Sequence, residues 1–132
     1  MFYSFRKNKK GFTLVELIVV VAIIAILGTA AGLAVSGLVD KSRKSTAVSN
    51  ASTLAGQINL FETDYGSNTQ TLKQYIAEKL PNVTVTWNGD AQNATYDTIS
   101  TKNGSAEVKS GAWTCTVTIT KGNATAATEA SK

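Results

Sequence analysis

Histidine is missing from this 132-residue chain, and cysteine occurs once, at Cys115. Without histidine the usual Ser-His and Cys-His nucleophile pairs cannot form, and a zinc site loses its commonest nitrogen ligand. A single cysteine excludes an intrachain disulfide. Charge of either sign is absent from Leu17 to Val39, about 23 residues, enough as a helix to cross the roughly 30 Å hydrocarbon core of a bilayer. Concentrated basic charge is also missing from most of the chain. The formal charge is +4, but Arg6, Lys7, Lys9 and Lys10 all lie before Gly11, and the remainder has nine cations and nine acids. The high pI therefore belongs to the leader, and the rest lacks the basic face that a nucleic-acid-binding domain needs.

What is present is a basic leader, the stretch Gly11-Phe12-Thr13-Leu14-Val15-Glu16, and an apolar run. Three readings fit this order. In an ordinary secretory signal, Leu17 to Leu27 is the apolar core and Gly28-Thr29-Ala30 the cleavage site. In the second reading the run is a plain anchor that is never cut. In the third, a protease cuts between Gly11 and Phe12, removes the four leader cations and leaves an α-ammonium on Phe12. Glu16 separates the three. An acid at the mouth of an apolar span weakens insertion and by default marks a functional site. Only the third reading provides an amine for it, on its own chain or on an adjacent copy, besides the partial positive charge of a helix N-terminus. Nothing else in the local pattern calls for an acid there. The leader cations outnumber Lys41, Arg43 and Lys44 at the far end of the run, which favours the leader on the cytoplasmic side.

Lys9-Lys10-Gly11-Phe12-Thr13-Leu14-Val15-Glu16-Leu17 and the apolar run resemble the N-terminus of type IV prepilins and related pseudopilins. The resemblance covers about the first third of the chain. It implies cleavage after Gly11 by a prepilin peptidase that also methylates the Phe12 amine, and a role for Glu16 in setting register against the Phe12 amine of a neighbour. It implies a homopolymeric filament, built by an assembly platform in the cytoplasmic membrane from subunits first held in the lipid bilayer, N-terminus inside. Adhesion and twitching motility are the activities such a filament serves. The expected fold is α+β, the type IV pilin fold. No catalytic residue, cofactor or metal is expected, and nucleic acid is not expected as a partner of the mature head. Two features depart from the family pattern. Leu33 stands near the position of the proline that the family often carries in the middle of the run, with Gly28, Gly32 and Gly37 nearby, and the C-terminal disulfide of many Gram-negative pilins is absent; the second leans towards a Gram-positive source. The acidic calcium loop of major type II secretion pseudopilins has only Glu107 and Glu129 to draw on after Asp97, too few for a hard-cation cage.

The expected divisions are a leader, 1–11; an apolar helix, 12–39; its amphipathic continuation, 40–65; and a head, 66–132, with a mobile tail from about 122. Val48, Ala51, Leu54, Ala55, Ile58, Phe61 and Tyr65 recur at helical spacing, so one helix is predicted from about Thr13 to Tyr65, capped by Gly66. After a loop at 67–70, Thr71-Leu72-Lys73-Gln74 predicts a capping box opening a short helix from Leu72 to Lys79. Strands are predicted at 83–87, 94–100, 105–109 and 112–120, with turns at Asn88-Gly89-Asp90 and Lys102-Asn103-Gly104. In the last strand Trp113, Cys115, Val117 and Ile119 alternate with threonines, the pattern of a half-buried antiparallel sheet. Cys115, Trp87 and Trp113 are expected in the core, and Lys41, Arg43 and Lys44 against lipid headgroups. N-terminal sequencing of the exported product tests the leader: Phe12 is expected as first residue, whereas Ala31 means ordinary secretion. Gly11→Val is expected to leave the product untrimmed.

Overall fold

The computed structural model describes residues 11–63 and 70–132. Two compact units emerge, one ending at Leu38 and the other spanning Val39–Lys132. The leader cations, Tyr65, Gly66 and most of the 67–70 loop lie outside the described residues. Helix α1 runs Leu14–Phe61. The polar stretch after Val39 contains no proline, and the next glycine is Gly56, so no strong helix breaker stands there. The helix therefore continues through residues 40–50. It ends four residues short of the predicted Tyr65, where the Thr63 amide donates to the Leu60 carbonyl at 3.0 Å.

In the first unit the large apolar side chains of α1 are exposed, from Leu14 at 74% to Leu38 at 66%. The hydroxyl groups of this stretch are satisfied within the helix. Thr29 Oγ1 donates to the Ile26 carbonyl at 2.8 Å and Ser36 Oγ to the Leu33 carbonyl at 2.9 Å. Such back-bonding leaves no hydroxyl hydrogen seeking a partner, which an apolar medium requires.

In the second unit the remainder of α1 buries Ala47, Ala51, Leu54, Ala55, Ile58 and Phe61. The facing layer is a four-stranded antiparallel sheet in sequential order: β1 (Val85–Gly89), β2 (Gly104–Ser110), β3 (Trp113–Thr120) and β4 (Asn123–Ala126). The register aligns apolar rows across it. Trp87 lies opposite Ala106, Ala106 opposite Val117, and Val117 opposite Ala126; Val85, Val108 and Cys115 form the next row. Ala106, Val108, Cys115, Val117 and Ile119 are buried, while Thr116, Thr118 and Thr120 are exposed, as the alternation predicts. A short helix α2 (Leu72–Lys79) has the predicted bounds and the predicted capping box between Thr71 and Gln74. Its Tyr75 ring packs 5.2 Å from that of Phe61.

Three expectations fail. Residues 94–100 are not a strand. Ala94 and Ile99 are both buried, and an odd separation would place them on opposite faces of a strand. The Thr98 hydroxyl instead accepts from the Thr95 amide at 3.0 Å, a local bond that competes with sheet pairing, and a 3-10 turn follows at Ile99–Thr101. The expected turns also move. Asn88 and Gly89 remain in β1, with a 3-10 turn at Asp90–Asn93 after them, and Gly104 opens β2.

The third failure is the tail. Residues from Gly122 onward are held by pairing. Lys121 and Gly122 both have positive φ, 49° and 82°, as a tight two-residue hairpin turn requires, and Asn103 Oδ1 accepts from the Lys121 amide at 2.9 Å. Beyond β4, Thr114 and Ser131 exchange backbone hydrogen bonds of 2.7 and 2.9 Å. The Asn59 side chain closes the β4 edge: its Nδ2 donates to the Ala124 carbonyl at 3.1 Å and its Oδ1 accepts from the Ala124 amide at 2.7 Å. Ile58→Ala is expected to destabilise the second unit by about 2–5 kcal/mol. Leu60→Ala, at a side chain 52% exposed, is expected to change little. Urea midpoints of the detergent-solubilised chain compare the two.

Candidate functional site

The N-terminal turn of α1 is built around Thr13 and Glu16. Thr13 precedes the first helical residue, and Glu16 is the third helical residue. Glu16 Oε2 accepts from the Thr13 amide at 2.8 Å and from Thr13 Oγ1 at 2.9 Å, while the Glu16 amide donates to Thr13 Oγ1 at 3.3 Å. This is a reciprocal capping box. It corrects the expectation that nothing local calls for an acid at this position. The signal was legible, since Thr13-Leu14-Val15-Glu16 has the same spacing as Thr71-Leu72-Lys73-Gln74. Thr13 is therefore the residue that the sequence reading missed.

The capping box does not use the whole carboxylate. Among the described residues, no hydrogen bond is made to Oε1 of Glu16. The other two predicted site residues do not join it. Phe12 is 88% exposed. At Gly11 an added Cβ meets nothing within 4 Å, so the fold itself makes no demand for glycine there.

A second cluster lies at the start of the second unit. Asp40 Oδ1 accepts from the Trp113 indole Nε1 at 2.8 Å, and Asp40 Oδ2 from Lys132 Nζ at 2.8 Å. The ammonium groups of Lys44 and Lys132 stand 5.3 and 5.0 Å from the centroid of the Trp113 ring, within cation–π range. Arg43 lies against the β2–β3 turn, where a Cβ on Gly111 would come within 2.8 Å of Arg43 Cδ. Trp113 is partly buried against the core, as expected, and its polar edge is held by the Asp40 carboxylate. Cys115 is buried, its Sγ donates to the Ala127 carbonyl at 3.4 Å, and burial pushes its thiol pKa up. A thiol held protonated is a poor nucleophile.

The hydrogen bonds from Lys132 and then Trp113 hold the Asp40 carboxyl below its usual range. A depressed folded-state pKa contributes stability that is present above the unfolded value, about 3.9 for Asp, and is lost as pH falls through the folded value. Acidification below about pH 4 is therefore expected to lower the urea midpoint of the wild-type chain. Asp40→Asn should flatten that part of the pH profile.

Neither a curated protein nor a solved structure matches the chain. Residues 6–32 match the family described as the prokaryotic N-terminal methylation motif. That segment spans Gly11, Phe12, Thr13 and Glu16 and the first part of the exposed apolar helix. The N-terminal segment is thus similar to the class III signal peptide region of type IV pilins, and the match supports a type IV pilin-like or pseudopilin precursor.

Proposed function

We propose that this chain is a structural subunit of a type IV pilus, cut after Gly11, N-methylated at Phe12 and polymerised through the apolar part of α1. The observation that carries the reading is the exposure of that part. None of the most apolar 18-residue window of α1 is buried, so its surface needs a cover that the described residues do not supply. Lipid provides one before assembly, and the helices of sister subunits provide another afterwards. Gly28 and Gly32 are four residues apart, and an added Cβ at either meets nothing within 4 Å. Small residues at this spacing allow helices to approach closely. Removal of the leader creates a Phe12 amine four residues before a carboxylate whose Oε1 accepts no hydrogen bond among the described residues. In a dry core a neighbour's amine is the partner that makes this charge tolerable.

On this reading the peptidase and the membrane assembly platform are the processing partners, and adhesion or twitching motility is the output. The exposed threonines of β3 and the connecting loops supply the outer surface. The pilus subunit is preferred to a secretion pseudopilin because the acidic calcium loop has no counterpart in the sequence.

Two substitutions separate a charge role from a capping role. Glu16→Ala is expected to remain in the membrane fraction and to yield no sheared filaments. Glu16→Gln keeps an acceptor for the capping box but carries no charge, and is expected to fail in the same way. Filaments at the wild-type level from Glu16→Gln would reduce Glu16 to a helix cap.

A further inference from the structure

Asp40 is the first charged residue after the apolar run, and Lys41, Arg43 and Lys44 follow within about one turn. The fold adds two residues to this short segment that are remote in sequence. Trp113 is brought in by its indole bond to Asp40 across 73 positions, and Lys132 by its ion pair across 92. The result is an aromatic ring flanked by ammonium groups at 5.3 and 5.0 Å. The cations Lys41, Arg43, Lys44 and Lys132 accompany the Asp40 carboxylate, which is itself engaged by Trp113 and Lys132.

We propose that Lys41, Arg43, Lys44, Trp113 and Lys132 form a docking surface for anionic phospholipid headgroups, used while the subunit waits in the membrane. The composition fits that partner. Tryptophan is favoured at the headgroup level, where an apolar ring and a polar N–H are both accommodated. Juxtamembrane cations are attracted to anionic lipid and lose that attraction within a Debye length. Covalent continuity supplies the proximity, because Asp40 directly follows the apolar run. A nucleic acid would meet the same charges, but nothing in the segment's position favours it. The inference rests on the membrane stage of the proposed function and is independent of filament assembly.

The test uses the full chain in a Trp87→Phe background, which leaves Trp113 as the sole tryptophan. The protein is reconstituted into vesicles of phosphatidylcholine alone or mixed with phosphatidylglycerol, both containing lipid brominated near the top of the acyl chain. Bromine quenching of Trp113 is expected to be at least about twofold greater in the anionic vesicles. The excess should disappear in high salt and in the double variant Lys41→Glu/Arg43→Glu, which leaves the Asp40, Trp113 and Lys132 contacts in place. Equal quenching in both vesicles, or an excess that survives the double variant, overturns the proposal. Loss of the excess on adding a short DNA duplex assigns the surface to nucleic acid and also overturns it. Flotation separates the two layers of the argument. A chain that fails to float with vesicles overturns the membrane stage itself, whereas one that floats with unquenched Trp113 overturns only the docking surface.

Discussion

The second unit depends on close contact between a helix and a sheet. Ala47, Ala51 and Ala55 keep one stripe of α1 low, while Leu54, Ile58 and Phe61 provide the bulk that enters the sheet. The sheet answers with Ala106, Val108, Cys115, Val117 and Ile119 on the facing side. Interiors pack at near-crystalline density, so small and large side chains must alternate across the gap. Asn59 reaches Ala124 because it lies beside the buried Ile58, and Asp40 meets Trp113 near the start of the same helical stretch.

The same helix passes through two kinds of environment. From Leu17 to Val39 it carries no charge and its large apolar side chains are uncovered; from Ala47 onward one stripe is covered by its own chain. The change coincides with the reappearance of charge at Asp40. Thr29 and Ser36 fit the division, since each returns its hydroxyl proton to the helix and exposes no unmet donor. Glu16 fits it only in part. One oxygen is used in holding the first turn, and among the described residues the other accepts no hydrogen bond.

What could be read from the residues was whatever rested on local periodicity. The helical stripe from Ala51 to Phe61, the strict alternation of β3 and the Thr71–Gln74 cap were all legible because each is set by neighbours within one or two turns or pleats. The failures share a different cause. The tail looked mobile for want of apolar bulk, yet it is held by main-chain pairing with β3, by the small buried residues Ala124 and Ala130, and by Lys132 reaching Asp40. None of these has a periodic signature. Residues 94–100 failed because threonine was read for its strand preference, whereas Thr95 and Thr98 use their hydroxyls to coil the chain. At the candidate site, Gly11, Phe12 and Glu16 were legible as a motif. Thr13 has the same spacing to Glu16 as Thr71 to Gln74, but the apolar run behind it carries the stronger signal of a membrane span.

The carboxamide of Asn59 occupies the main-chain donor and acceptor of Ala124 that a further strand would need. At that residue the rim of the sheet is closed to strand addition, the route by which exposed edges recruit other chains. Where many copies crowd together, heads can touch there through side chains and loops without zipping main chain to main chain.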